Sequence, residues 1–163
     1  MPKHSNNNPQ ASRPRMHGYG VPESMEGALP WAWAEKRFSE SHNYWLTSVR
    51  ADGGPHVMPI WGIWLDGAYY FSTSATSRKG RNLQHNPKCV ICNENAAEAV
   101  IMEGVAQQLK DDQIPQRAFS DYKTKYSWEL DPKLGPVWVV RPKVVFAMPE
   151  KQFPKGVTRW KFE

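Results

Sequence analysis

The chain lacks any long hydrophobic run. Its longest unbroken apolar stretch, Met58 to Leu65, is far short of the ~18 residues a membrane-spanning helix needs. No apolar signal-peptide core follows the N-terminus either, so the expected home is the cytoplasm. Cysteine is scarce, with two in 163 residues, Cys89 and Cys92. Their Cys-x-x-Cys spacing falls in a strand-like segment, Lys88 to Asn93, where residues three apart point to opposite faces about 10 Å apart. A disulfide needs Cα atoms within about 7 Å, and no second pair exists to complete a zinc site. Both are expected to serve as small buried hydrophobes.

Catalytic constellations are also missing. Histidines stand at positions 4, 17, 42, 56 and 85, none with zinc-helix spacing, and there is no Gly-x-Ser-x-Gly elbow. No carboxylate pair suggests acid–base work, and Glu103 is expected to close a structural hydrogen bond. A chain without its own reactive groups needs a bound cofactor to carry any reaction. Acids are absent from the N-terminal segment, where Lys3, Arg13 and Arg15 precede the first one, Glu23. The net charge is +5, yet the basic residues form no long stripe, which argues against a nucleic-acid partner.

What is present is a cation-rich start to a helix. The strand-like run Ala68 to Thr73 leads into Ser77-Arg78-Lys79-Gly80-Arg81-Asn82-Leu83, and Asn86-Pro87 stops it. Ser77 is a good N-cap, and Arg78, Arg81 and Asn82 share one face by i, i+3, i+4 spacing. Cations at a helix start oppose the helix dipole, so the arrangement suits a bound phosphate. Pro59 removes one ladder donor from the most apolar strand and can leave that strand with an open side. Trp61 and Trp64 point to opposite faces, one for the core and one to cover a ligand ring.

Residues 1–22, rich in Asn, Pro, Ser and Arg, read as a disordered tail, and residues 23–163 as one domain with a real core. A helix is expected from Pro30 to about Ser41. Strands follow at Asn43–Arg50, His56–Leu65 (nearly continuous in apolar residues, hence buried on both faces) and Ala68–Thr73, joined by Gly-containing hairpin turns. Further strands are expected at Lys88–Glu94 and Ala99–Leu109, then a helix from Asp111 to Tyr126. Val137–Met148 reads as two strand segments broken at Arg141-Pro142-Lys143, and Thr158–Phe162 as a terminal strand or arm. Six or seven strands with two or three peripheral helices predict a mainly β, α+β domain, a closed or half-closed antiparallel barrel.

Several segments together resemble the pyridoxamine 5'-phosphate oxidase-like superfamily of split β-barrel flavoproteins. They are the Asp52-Gly53-Gly54-Pro55 hairpin, Pro59-Ile60-Trp61, Phe71-Ser72-Thr73, Ser77-Arg78-Lys79 and Met102-Glu103-Gly104. The resemblance implies a Greek-key-like split barrel and a homodimer with cofactors at its interface. It implies an oxidoreductase using FMN or the deazaflavin coenzyme F-420 on a small unsaturated or heterocyclic substrate. By position Arg78, Lys79 and Ser77 would hold the phosphate, with Asn82 on the same helix, and Ser72 and Thr73 the phosphate or ribityl chain. Pro59, Ile60 and Trp61 would line the ring, and Arg159 and Trp160 would reach the same or the partner's site. Val57 to Gly62 carries neither the Arg nor the Lys of true pyridoxamine phosphate oxidases, so that substrate is not expected. Two alternatives are a non-catalytic carrier of flavin or a haem-like ligand, and a single-stranded nucleic-acid-binding barrel.

Overall fold

The computed structural model describes residues 8–163. Among them nine strands form a mostly antiparallel sheet that does not close, with three α-helices against it, a split-barrel α+β fold. In chain order the elements are β1 (Gln10–Ser12), α1 (Trp31–Glu40), β2 (Tyr44–Val49), β3 (Pro55–Ile60), β4 (Gly62–Leu65), β5 (Ala68–Ser72) and α2 (Arg78–His85). They continue with β6 (Lys88–Asn93), β7 (Glu98–Gln108), a 3₁₀ turn (Asp111–Gln113), α3 (Gln116–Tyr126), β8 (Val137–Pro149) and β9 (Thr158–Lys161). The sheet runs β1-β9-β8-β7-β6-β2-β3, and the β4–β5 hairpin joins it where β5 pairs with β8.

The turns follow from residues that tolerate positive φ. Asp66 (φ 49°) and Gly67 (φ 78°) close the β4–β5 hairpin, and Gly53 (φ 86°) turns β2 into β3. Two cores result. One lies between the sheet and α1 and α2, and holds Tyr44, Leu46, Tyr69, Phe71, Ile91 and Trp160. The other lies between the β4–β5 hairpin and α3, with Ile63, Leu65, Tyr70, Val139, Tyr122 and Tyr126. The hairpin is thus covered on both faces, which is why Ile63, Leu65 and Ala68 to Phe71 are all apolar and buried.

Several expectations change. The strand expected over His56–Leu65 breaks at Trp61. Only its second half is buried on both faces, because β3 is the last strand of the sheet and pairs with β2 alone. Pro59 therefore occupies an edge, where a missing donor costs little. Β8 is one strand through Pro142: Gly104 pairs with Pro142 and Glu103 with Val144, so Lys143 is the extra residue of a bulge. A Cβ on Gly104 would lie 2.6 Å from the Arg141 carbonyl oxygen, so a side chain there would block this approach. The expected helix over Asp111–Tyr126 divides at Ile114-Pro115, where Pro115 takes an extended ψ of 136° and caps α3. The extra strands arise from the break at Trp61 and from β1.

Disorder over the whole of residues 1–22 is corrected in the same way. Gln10 to Ser12 pair with Lys161 to Arg159. The Arg13 guanidinium donates to the carbonyls of Ser24, Glu26, Lys155 and Val157 at 2.6–2.8 Å. Charge-assisted bonds of this kind are about twice as strong as neutral ones, so one arginine ties the N-terminal segment to the turn before β9. Residues 1–7 lie outside the described residues. Cys89 is buried and Cys92 half-buried; they sit on opposite faces of β6 and both are free. Burial pushes the Cys89 thiol up to about 12.

Trp160 is 1% exposed, and its ring meets Trp31 edge-on at 5.5 Å. Trp160→Ala is expected to cost about 3–5 kcal/mol, as buried aromatic truncations do, in urea unfolding followed by far-UV circular dichroism. A loss under about 1 kcal/mol would contradict this core assignment.

Candidate functional site

The site forms where β5 hands over to α2. Ser77 caps the helix: its Oγ accepts from Gly80 N at 3.1 Å and donates to the Ser74 carbonyl at 2.7 Å, with Thr73 Oγ1 at 3.0 Å. Gly80 is required there, since a Cβ would collide with the Ser74 carbonyl oxygen. The hydroxyls of Ser77 and Thr73 are thus engaged in shaping the turn. Arg78 and Lys79 follow in a first turn that holds no acidic residue.

Lys79 lines a cleft of about 400 Å³ with Asn43, Pro59, Ile60, Trp61, Ser72 and Tyr122. The free side of β3 forms one wall, and Ser72 Oγ, which donates to the Gly135 carbonyl at 3.1 Å, sits on the other. Arg78 lines an adjoining hollow of about 430 Å³ with Arg50, Ala51 and Asp52. None of Arg50, Arg78 and Lys79 takes part in an ion pair among the described residues. His56 of β3 lies in the field of all three. Partial burial first, then the charges of Arg50, Arg78 and Lys79, hold its imidazole below its usual pKa. Its Nδ1 is buried without a hydrogen-bond partner in the protein.

Trp61 owes its position to the break between β3 and β4. Its Nε1 donates to Asn43 Oδ1 at 3.1 Å, and its ring stacks on Tyr126 at 4.7 Å and 11°. At the break the Gly62 backbone is satisfied by α3 rather than by a strand. Tyr126 Oη accepts from Gly62 N at 2.9 Å and lies 2.8 Å from the carbonyls of Gly62 and His42. Lys125 Nζ donates to the Gly62 carbonyl at 3.1 Å and to Tyr44 Oη at 2.8 Å. Burial raises the pKa values of both phenols.

The structure thus gathers Pro59, Ile60, Trp61, Ser72 and Lys79 at one cleft and places Arg78 beside it. It does not bring the other expected site residues there. Asn82 is buried and donates from Nδ2 to Ser48 Oγ at 3.0 Å, because Gly80, Asn82 and Leu83 form the face of α2 that meets the sheet. Trp160 is core, and Arg159 donates to Ser12 Oγ at 3.0 Å across the β1–β9 pair. Sequence reasoning missed Asn43, Arg50, His56, Tyr122 and Tyr126. For the two tyrosines a signal existed, their i, i+4 spacing on a helix, but nothing local showed which strand they meet. Among the described residues no His, Cys, Asp or Glu side chains converge as a metal site.

Cations beside an open, partly apolar strand edge suit an anionic ligand with a flat ring. Residues 33–148 match the family model described as pyridoxamine 5'-phosphate oxidase. The chain belongs to that family, within its split-barrel superfamily. Solved structures agree in fold. A heme binding protein from Mycobacterium smegmatis is 23% identical over 74% of this chain, with a TM-score of 0.61, and the match covers 55% of that protein's length. An F-420 reductase is 22% identical over 68% of this chain and 94% of its own, with a TM-score of 0.56. The heme storage protein from Vibrio cholerae is 18% identical over 72% of this chain and 90% of its own, with a TM-score of 0.55. No curated protein matches.

Burial holds the Lys125 amine down to about 8, against 10.5 for a free lysine. Between those values the unfolded chain binds the proton that the folded chain has released. Stability from this group therefore rises with pH across that window and is lost as pH falls through about 8. The buried thiols and phenols, with raised pKa values, act in the opposite sense, so the comparison is between parent and Lys125→Met. Urea stability between about pH 7.5 and 9.5 is expected to gain less with pH in the variant. Equal pH slopes would refute the assignment.

Proposed function

We propose that the protein is an oxidoreductase that binds FMN or coenzyme F-420, with the phosphate at the start of α2 and the ring along β3. The supporting observation is the adjacency of Arg50, Arg78 and Lys79 to the cleft walled by Pro59, Ile60 and Trp61. The three cations form no ion pair and outnumber the single carboxylate beside them, Asp52, and a bound dianion offsets the remaining positive charge. Such a cofactor supplies transfer of a hydride, as two electrons and a proton nucleus, to or from a small unsaturated or heterocyclic substrate. The chain's own part is binding and orientation. Arg78 and Lys79 neutralise the phosphate, Ser72 faces the chain that links it to the ring, and Trp61 and Tyr122 exclude water from the ring's surroundings. Thr73 and Ser77 set the turn that aims the helix.

The Arg78→Ala, Lys79→Ala double variant tests this reading. Charge-assisted hydrogen bonds contribute roughly 1.5–3 kcal/mol each. FMN or F-420 affinity, followed by fluorescence titration, is expected to fall at least about a hundredfold. Unchanged affinity would remove the phosphate assignment. The absorption spectrum and mass of whatever the purified protein releases decide between the two cofactors.

We further infer a homodimer. On the outer face of the sheet one cross-strand row holds Trp45, Cys92, Ile101 and Phe146, the next holds Val57, Thr47, Val90 and Glu103, and Val105 lies beyond them between Lys88 and Arg141. Trp45 is 46% and Val57 52% exposed, and a shallow apolar groove of about 350 Å³ runs beside Val90 and Val105. Exposed aromatic and β-branched side chains rimmed by charged ones mark an interface, and one patch meeting its own copy gives a two-fold dimer. Light scattering is expected to give twice the 18.7 kDa chain mass, and the Trp45→Asp, Val105→Asp double variant the single mass. A monomeric parent protein refutes the dimer.

A second reading is supported by the fold shared with a heme binding protein and a heme storage protein: carriage of a flavin or haem-like ligand without turnover. Stopped-flow oxidation of the reduced, loaded protein separates the two, since a carrier stays inert to every acceptor tried.

A further inference from the structure

Glu94 lies in the turn after β6, outside the cleft. Its Oε1 accepts from His42 N at 2.9 Å and its Oε2 from Asn43 Nδ2 at 3.0 Å. Its own backbone N–H donates to Ser41 Oγ at 3.3 Å, and Ser41 Oγ donates to the Asn43 carbonyl at 2.8 Å. The turn and the segment 41–43 are thus held together from both sides. Asn43 is the next link, because its Oδ1 receives the Trp61 indole N–H at 3.1 Å.

The chemistry of the three groups makes this a directional chain. An ionised carboxylate only accepts hydrogen bonds, whereas an amide has one accepting end and one donating end. An indole N–H only donates. Glu94 therefore turns the Nδ2 of Asn43 toward itself, and that leaves Oδ1 aimed at Trp61. With Asn43 reversed, two donors would face each other at the indole and the bond would be lost. The bonds from Asn43 and His42 also keep the Glu94 carboxyl below its ordinary pKa, so it remains the acceptor at neutral pH. Stacking on Tyr126 fixes the tilt of the Trp61 ring, and the indole N–H bond fixes its rotation within that stack.

We propose that Glu94 is a positioning residue for the cleft: acting through the amide of Asn43, it sets the orientation of the Trp61 ring against which a flat ligand packs. The ligand half of this inference rests on the reading of the cleft as a ring-binding surface, and the indole half does not.

The test is the Trp61 indole N–H resonance in a proton–nitrogen spectrum of the full chain, identified by its loss in Trp61→Phe. In Glu94→Ala and in Asn43→Ala this resonance is expected to move upfield in the same direction, as a lost hydrogen bond requires. Glu94→Gln, which offers one accepting oxygen where the carboxylate offers two, is expected to move it part of the way. FMN or F-420, whichever the parent protein binds, is expected to bind Glu94→Ala roughly two- to tenfold more weakly, the range of one net hydrogen bond. An unmoved resonance in folded Glu94→Ala overturns the proposal, even if thermal stability falls. A moved resonance with unchanged ligand affinity overturns its ligand half. If the parent protein binds neither cofactor, the proposed function fails, and the indole spectrum still decides the role of Glu94.

Discussion

The cleft depends on one discontinuity, the break in the chain between Ile60 and Gly62. A peptide group that leaves a ladder inside a protein must find another partner or forfeit roughly the desolvation of that group. Here α3 supplies the partners: Tyr126 meets both the N–H and the carbonyl of Gly62, and Lys125 adds a second donor to the same carbonyl. With those contacts made, β3 can remain at the sheet edge while β4 turns away to form a hairpin with β5. Trp61, at the corner, is left neither in the core nor in a strand. That is how a large aromatic ring comes to be 42% exposed beside a free strand edge.

A second tension accompanies the first. Arg50, Arg78, Lys79 and His56 converge from the β2–β3 hairpin and the first turn of α2, and burial together with the other three lowers the pKa of His56. Three contacts hold the scaffold there. Ser77 spends its hydroxyl on its own turn, Gly80 presses against the Ser74 carbonyl, and Asn82 ties the helix to Ser48. Like charges held on that turn repel one another, and the anion proposed for the site would offset them. The polar end and the flat wall of the proposed ligand site thus rest on separate supports, α2 for the one and α3 for the other, and Lys79 is the residue placed toward both.

Much of the fold was legible because its signals are local. Gly53 and Asp66-Gly67 adopt the positive φ that their hairpins require. The aromatic and apolar run expected as a strand over Asn43–Arg50 forms β2. Other features were not legible, for a common reason: they are set by partners distant in the chain. Arg13 finds carbonyls more than 140 residues away. The 3.6-residue period places Asn82 near Arg78, but packing against Ser48 decides that it faces inward. Trp160 reads as an aromatic near the end of the chain, and only Trp31 and the α1 face show it to be core.

The amino-acid order determined the strand and turn rhythm, the cation-rich start of α2 and the apolar strand interrupted at Pro59, since each of these rests on propensities and spacings within a few residues. The tertiary structure alone decided that Asn43, Tyr122 and Lys79 share a cleft and that Arg50 and His56 join the cations. It also decided that Asn82, Arg159 and Trp160 are kept away from it. Those outcomes depend on which strand lies at the sheet edge and which helix covers the break, and no short stretch of sequence carries that information.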